Sequence, residues 1–130
     1  MRAERRKVSS GSPFEPRIGF SRGMRVGDHV HVSGTVAMWP DGSVDPDAGA
    51  QTHRCLEIIV AALEGLGASA DDVVRTRIYL TDPSDIDAVG PVHADFFGKT
   101  RPAATAVVVA ALLDPRWKVE IEADAIVDPS

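Results

Sequence analysis

The 130-residue sequence has one cysteine and no excess of basic residues, and each shortage excludes a class of protein. Because Cys55 is the only cysteine, the chain cannot form an intrachain disulfide. We expect Cys55 to lie on a helix and to pack into the protein core. The chain has 14 Lys and Arg against 19 Asp and Glu, which gives a net charge of -5. This balance argues against a nucleic-acid partner, since neutralising phosphates requires a clustered basic surface.

The sequence also lacks a long hydrophobic run. No apolar segment approaches the length that crosses a bilayer, and no hydrophobic signal segment follows the basic N-terminus. We therefore expect a cytoplasmic protein with no membrane partner. The length predicts one core, with a flexible tail over residues 1–12 and a single domain over residues 13–130.

The clearest pattern in the chain is the alternation of polar and apolar residues from Lys118 to Val127. Side chains alternate between the two faces of a strand, so Glu120, Glu122 and Asp124 share one face. Just upstream, residues 103–113 are almost wholly apolar, which predicts a neighbouring strand with both faces covered. A carboxylate strip beside a buried strand indicates a cleft or a subunit interface, because carboxylates are costly to desolvate without partners.

The remaining patterns predict an α+β fold with a mixed β-sheet and two helices on one face. The expected elements are an N-terminal β region over residues 18–33, a helix from Asp45-Pro46 that ends near Gly65 to Gly67, a strand over residues 72–80, a helix from Asp82-Pro83 that kinks or restarts at Gly90-Pro91, and two terminal strands. Two helices cover only one face of such a sheet. Another subunit is the simplest cover for the second face, and a symmetric oligomer would place clefts between protomers.

Four blocks of the sequence resemble the Rid family, also called the YjgF-like family of reactive intermediate deaminases. The blocks are R-P-A-A-T-A-V-V-V-A-A-L (residues 101–112), K-V-E-I-E-A (residues 118–123), V-S-G (residues 32–34) and A-A-L-E-G-L-G-A-S-A-D-D-V-V-R-T (residues 61–76). The resemblance covers nearly the whole chain after Gly11. It implies a chorismate-mutase-like fold and a homotrimer that binds a small metabolite in clefts between subunits. Active members hydrolyse imines and enamines and release ammonia, without a metal or an organic cofactor.

The chain departs from this family at three positions of the implied substrate site. In active members a strand reads Pro-Ala-Arg, and its arginine grips the substrate carboxylate, whereas this chain has Ala104 there. Phe20 stands in place of a tyrosine, and Ala106 in place of a cysteine. Arg101 does not substitute, since a strand residue three positions away points to the opposite face. We therefore expect a more apolar pocket that is less suited to an anionic 2-imino acid.

Other residues of the implied site are retained, namely Ser33, Gly34, Thr105 and Glu120. Glu120 aligns with the glutamate that positions or activates the attacking water in active members. In an apolar cleft its pKa would rise, and it could exchange protons with water and the leaving amine. The alternative is an ordinary carboxylate that is solvated or paired at an interface.

Several charged residues have two interpretations. His29 and His31 share a strand face, but a His-x-His pair without a third ligand is weak evidence for a metal, and we predict none. Arg17, Arg22 and Arg77 are candidate replacement anion anchors, although surface charges are the ordinary interpretation. His93, near the end of the second helix, is a candidate contributor to a neighbouring cleft.

Three functions remain open at the level of sequence. Glu120 and Ser33 favour a divergent imine or enamine hydrolase. The missing arginine favours a non-catalytic, metabolite-binding or regulatory trimer. RNA cleavage with inhibition of translation, which has been attached to some relatives, is the least attractive because the chain is acidic.

Overall fold

Six strands form one mixed sheet in the computed structural model, which describes residues 3–128. The strands are β1 (Arg5–Val8), β2 (Gly23–Val26), β3 (His29–Val36), β4 (Val73–Leu80), β5 (Ala103–Val108) and β6 (Val119–Ile126). Their order across the sheet is β1-β2-β3-β6-β4-β5. Only β4 and β5 pair in parallel, and the other neighbours are antiparallel.

Two long helices and one short helix accompany the sheet. They are α1 (Phe14–Ile18), α2 (Ala48–Gly65) and α3 (Ile86–Phe97). Helix α2 begins later than the predicted Asp45-Pro46. Its N-cap is Asp47, whose side chain accepts a hydrogen bond from the Ala50 amide. None of the helices within residues 3–128 is long and apolar enough to span a membrane.

Helix α3 runs through Pro91 as one element, so the restart expected at Gly90-Pro91 is wrong, and the kink that was its alternative stays a prediction. Proline removes one donor from the helical ladder, which leaves the carbonyl four residues earlier, that of Asp87, without its usual partner. Both residues are exposed, so water can satisfy this carbonyl. The helix therefore continues to Phe97.

The apolar face of β6 packs against the helices. Val119, Ile121, Ala123 and Ala125 are buried in one core cluster with the apolar stripe of α2. The opposite face of the sheet, which the helices leave uncovered, is called here the open face. It carries Glu120, Glu122 and Asp124, as the alternation predicts.

A β-bulge interrupts β3 where it pairs with β6. The register shifts between Val32 and Thr35, so that Ser33 and Gly34 form the extra segment. Val30 and Val32 face the helices before the bulge, and Thr35 does so after it, as their burial shows. The bulge therefore resets the alternation of β3 at the two residues that the sequence identifies as site candidates.

The structure corrects the predicted strand over residues 103–113. Strand β5 ends at Val108, lies at an edge of the sheet and is separated from β6 by β4. The expectation that this strand neighbours β6 is therefore wrong. Every residue of β5 is exposed in the single chain, and its burial on both faces by a second subunit stays a prediction. The apolar run instead leaves an unpaired hydrophobic edge, which is a typical site of association.

The predicted flexible tail over residues 1–12 is wrong for residues 5–8. These residues form β1, which pairs with β2. The Arg6 guanidinium also donates a hydrogen bond to the Leu66 carbonyl at 2.8 Å and so ties the strand to the end of α2. Met1 and Arg2 lie outside the described residues.

Candidate functional site

Glu120 lies on the open face with its carboxylate directly against Gly34. A Cβ atom at position 34 would collide with Oε2 of Glu120. Gly34 belongs to the bulge of β3, which brings a residue without a side chain next to the glutamate. Position 34 must therefore be glycine for the Glu120 carboxylate to stay where it is.

Arg22 contacts the same group of residues. Its Nη2 donates a hydrogen bond to the Gly34 carbonyl, and its guanidinium lies 6.0 Å from the centre of the Phe20 ring. Its Nε is buried and has no hydrogen-bond partner in the part of the chain that the structure describes. The interpretation of Arg22 as an ordinary surface charge is therefore wrong. Phe20, Arg22, Gly34 and Glu120 are called here the Glu120 cluster.

Electrostatics within the Glu120 cluster act in opposite directions on the glutamate. Burial raises the pKa of Glu120 above its usual value, the positive charge of Arg22 lowers it, and neighbouring Glu122 raises it. Burial in turn lowers the pKa of Arg22. Glu120 is thus a carboxylate whose proton affinity is increased by its surroundings, as a general acid or base requires.

Cys55 lies behind the Glu120 cluster but is chemically inert. Burial raises the pKa of its thiol to about 12, and the negative charge of Glu120 adds to this effect. The thiol donates a hydrogen bond to the Thr35 carbonyl at 3.3 Å. Its role in the core is as expected from the sequence, and the thiol stays protonated at neutral pH.

A buried carboxylate that the sequence interpretation missed supports the segment carrying Phe20 and Arg22. Glu15 in α1 is only 6% exposed and accepts hydrogen bonds from both the amide and the hydroxyl of Ser10. The bond from the Ser10 hydroxyl is the main cause that lowers the pKa of Glu15. The preceding Ser-Gly-Ser-Pro segment is a recognisable helix-start signal for α1, but nothing in the sequence indicates the burial of Glu15.

A second group of polar residues fills the open face beyond Glu120. A cavity of about 320 Å³ is lined by Ser21, Met24, His31, Val32, Ser33, Arg77, Glu122 and Asp124. Arg77 lies between two carboxylates, 3.3 Å from Glu122 and 3.2 Å from Asp124. Arg77, which the sequence makes a candidate replacement anion anchor, is therefore already paired with two carboxylates.

Ser33 and His31 also belong to this cavity rather than to the Glu120 cluster. The Ser33 hydroxyl donates a hydrogen bond to the Ser21 carbonyl at 2.6 Å. His31 lies 2.7 Å from Asp124 through Nδ1. Within residues 3–128, no group of three or more His, Cys, Asp or Glu side chains is arranged to hold a metal ion.

The three candidate residues of β5 divide between the two faces of the sheet. Ala104 pairs with Thr76, which is buried beneath the helices, so Ala104 and Ala106 face the helix side. Thr105 pairs with Arg77 and faces the open side. Two strand spacings, about 10 Å, separate β5 from β6. One chain therefore does not bring Ala104 and Glu120 into a shared hollow, and such a hollow would need β5 of a second copy.

Comparisons with known proteins agree on one family. The profile of the family described as Endoribonuclease L-PSP matches residues 11–127. A YjgF/YER057c/UK114 family member from Mycobacterium tuberculosis is similar in structure, with 49% identity, coverage of 95% of this chain and 100% of that one, and a TM-score of 0.88. A RutC family protein of Pyrococcus abyssi is 38% identical over 109 residues, which are 82% of this chain and 84% of the relative. The structure of E. coli TdcF with bound serine is 27% identical, covers 95% of this chain and 94% of its own, and has a TM-score of 0.79.

Proposed function

The chain belongs to the Rid, or YjgF-like, family, and from this premise we propose that it hydrolyses a small imine or enamine in clefts between identical subunits. The observation that carries the proposal is the half-buried Glu120 carboxylate, held against Gly34 beside Arg22 with a raised pKa. A carboxylate in this state can accept a proton from water and return it during the same reaction.

Hydrolysis of a protonated imine needs a group that takes a proton from water and returns it to nitrogen, and Glu120 serves both steps. Glu120 accepts a proton from water while the water oxygen adds to the carbon of the protonated imine, which gives a neutral carbinolamine. Glu120 then donates this proton to the amine nitrogen, the C–N bond breaks, and the carbinolamine hydroxyl passes its proton to the departing ammonia, so that a carbonyl product and an ammonium ion leave. Arg22 favours the ionised carboxylate that begins the cycle, because its charge opposes the effect of burial.

The cleft needs a second copy of the chain. Glu120 faces the open side of the sheet, Ala104 faces the helix side, and the whole of β5 is exposed along an apolar edge. An arrangement in which β5 of one protomer lies near the open face of the next covers this edge and brings the two positions together. We propose that the assembly is the chorismate-mutase-like homotrimer that the family resemblance implies.

The test is ammonia release by wild-type protein and by the Glu120→Gln variant. Glutamine keeps the size of the side chain but cannot accept and return the proton, so we expect a loss of about 10²-fold or more. The assay uses a panel of imines and enamines freshly generated from amino acids, together with uncharged imines. Glu64→Gln, an exposed change on α2, is the matched control and should retain full activity. Wild-type protein that releases no ammonia from any member of the panel would contradict the proposal.

A second candidate is a metabolite-binding protein without catalysis, and the specific observation in its favour is Ala104. Without the family arginine the cleft can hold a ligand yet fail to orient it for attack. E. coli TdcF was crystallised with serine, so a relative binds a small amino acid. Saturable stabilisation of both wild-type protein and Glu120→Gln by the same metabolite, without turnover, would select this function. Ribonuclease activity is not proposed, because the carboxylates of the open face repel a phosphate backbone.

A further inference from the structure

Two arginines meet on the helix side of the sheet, where its first two strands reach the end of α2. Arg6 of β1 and Arg25 of β2 are register partners in an antiparallel pair, so their side chains leave the same face. Nη2 of Arg6 and Nη1 of Arg25 each donate a hydrogen bond of 2.8 Å to one acceptor, the Leu66 carbonyl. The two nitrogens therefore lie no more than twice this distance apart. Arg6 and Arg25 are called here the arginine pair.

The arginine pair has no counter-charge in the part of the chain that the structure describes. Arg77 and Arg116 both pair with carboxylates, whereas neither guanidinium of the arginine pair forms an ion pair within residues 3–128. Like charges that face each other across two strands repel. The partial negative charge at the end of a helix offsets only part of this repulsion. The position therefore lacks a negative partner.

Several donors of the arginine pair remain for such a partner. A guanidinium has five N–H groups. Arg25 donates from Nε to the Gly27 carbonyl at 2.8 Å and from Nη1 to Leu66, and Arg6 donates from Nη2 alone. Among the described residues, Nη2 of Arg25 and both Nε and Nη1 of Arg6 have no hydrogen-bond acceptor. Two guanidiniums held by the backbone thus present unused donors side by side.

Capping of α2 does not by itself require two arginines. A basic side chain commonly donates to the last carbonyls of a helix, and one arginine would satisfy the Leu66 carbonyl. The chain instead accommodates both, because Gly67 follows with a left-handed φ of 78° and no side chain. A Cβ at position 67 would lie 3.0 Å from Nη1 of Arg25 and 3.4 Å from Nη2 of Arg6. The second arginine is therefore left for a role other than capping.

We propose that the arginine pair binds the phosphoryl group of a small phosphorylated metabolite. Such a group carries close to two negative charges at neutral pH and at least three oxygens. It can accept charge-assisted hydrogen bonds from both guanidiniums at once and so supplies the missing counter-charge. The site lies at the β1 edge on the helix side, whereas the proposed assembly uses β5 and the open face. It is on the other side of the sheet from Glu120 and does not depend on the proposed hydrolysis.

The experiment is calorimetry on the full chain with inorganic phosphate, pyrophosphate and glycerol 3-phosphate as probes, in sodium chloride at matched ionic strength. We expect one saturable site per chain for glycerol 3-phosphate and no binding of glycerol. Arg6→Gln and Arg25→Gln should each weaken this binding about tenfold or more, because each removes charge-assisted contacts to the phosphate. Arg6→Lys keeps the charge without the planar fork and should lose less affinity.

Arg5→Gln is the matched control. Arg5 is exposed, precedes Arg6 on β1 and pairs with Val26, so its side chain leaves the opposite face of the sheet. The variant changes the net charge of the protein equally and should bind the probes like the wild type.

Melting temperatures separate binding from helix capping. Glycerol 3-phosphate should raise the melting temperature of the wild type and of Arg5→Gln with its concentration, but not that of Arg25→Gln. If the arginine pair only capped α2, Arg25→Gln would lower the melting temperature by the same amount with and without the probe, and this result would overturn the inference.

Three binding results would also overturn it. They are the absence of saturable binding of every probe at millimolar concentrations, equal losses of affinity in Arg5→Gln and Arg6→Gln, and binding of inorganic phosphate without binding of glycerol 3-phosphate. The last result would assign the site to the free ion rather than to a metabolite. Tighter binding of glycerol 3-phosphate than of inorganic phosphate, dependent on both arginines, supports the proposal.

Discussion

At the scale of single residues, the pair formed by Arg22 and Glu120 decides the chemistry of the open face. A half-buried arginine whose Nε has no hydrogen-bond partner among residues 3–128 is costly, yet it lies beside a half-buried glutamate. The Gly34 carbonyl and the Phe20 ring fix its guanidinium. This arrangement sets the proton affinity of Glu120 by opposing the effect of burial with a nearby positive charge.

Removing that charge should shift the pH dependence of the reaction in a known direction. Glu120 must be ionised to accept the proton of water, so its pKa governs the acidic limb of the pH–rate profile. Arg22 lowers that pKa, and Arg22→Gln leaves burial unopposed. The acidic limb of kcat should therefore move to higher pH, with lower activity at neutral pH.

Two further variants test the cause of this shift. Arg22→Lys keeps the charge and should keep the limb close to its wild-type position. Arg17→Gln removes an exposed charge that lies over Phe14, 5.6 Å from the ring centre, and should leave the profile unchanged. A limb that stays in place or moves to lower pH in Arg22→Gln would disprove the assigned role of Arg22.

At the scale of elements, local patterns predict the central strands well. The alternation of β6 correctly separates its carboxylates from its buried residues, and β4 begins within a residue of the predicted start. The bulge at Ser33 and Gly34 is not predictable from β3 alone, because it depends on how β3 pairs with a strand almost ninety residues later. The same limit applies to Arg101. The argument from strand alternation does not hold for this residue, because β5 begins two residues later, at Ala103.

Exposure was the least predictable property of an element. The apolar run at residues 103–108 has the composition of a strand covered on both faces, yet one chain leaves it uncovered. An apolar composition indicates that a strand is buried in the complete protein, including any partner subunit. The single chain shows only the part of the strand that its own helices cover. The carboxyl-terminal part of the run, residues 109–113, lies beyond the end of β4 at Leu80, and its last bond to that strand is the one that the Val109 amide donates to the Leu80 carbonyl.

The central position of β6 predicts where the fold is most sensitive to substitution. Ile121 is fully buried between the two neighbouring strands and α2, whereas Ile126 at the end of the same strand is 45% exposed. Ile121→Ala should lower the free energy of unfolding by about 2–5 kcal/mol, through lost burial and the cavity left behind. Ile126→Ala is the matched control, with an expected loss below about 1 kcal/mol. Urea unfolding at a fixed protein concentration measures both, and equal losses would contradict the description of the core.

At the scale of the whole molecule, the sheet has one covered face and one open face. The open face is polar and largely paired within itself, through Arg77 with two carboxylates, Tyr79 with Glu122, and His31 with Asp124. Its apolar edge at β5 has no such partners in the described chain. A face that satisfies its own charges beside an unpaired apolar edge is suited to contact a second copy, since association then buries few unpaired charges.

This division predicts that a charge on the open side of β5 will dissociate the assembly. Val107 pairs with Tyr79 on that side and is 43% exposed in the single chain. Val107→Asp places a carboxylate without a partner in the proposed interface, which should weaken association by about a hundredfold or more. Sedimentation velocity should then detect trimers for the wild type and monomers for the variant at micromolar concentration.

Loss of the proposed trimer should remove activity even though every residue of the Glu120 cluster remains. Glu120 and Ala104 lie on opposite faces of one sheet, so only neighbouring copies can present both to one substrate. Ala61→Asp, an equivalent charge on the exposed side of α2, should leave both assembly and ammonia release intact. A monomeric Val107→Asp that still hydrolysed imines at the wild-type rate would mean that one chain contains the complete site, and the inter-subunit cleft would have to be abandoned.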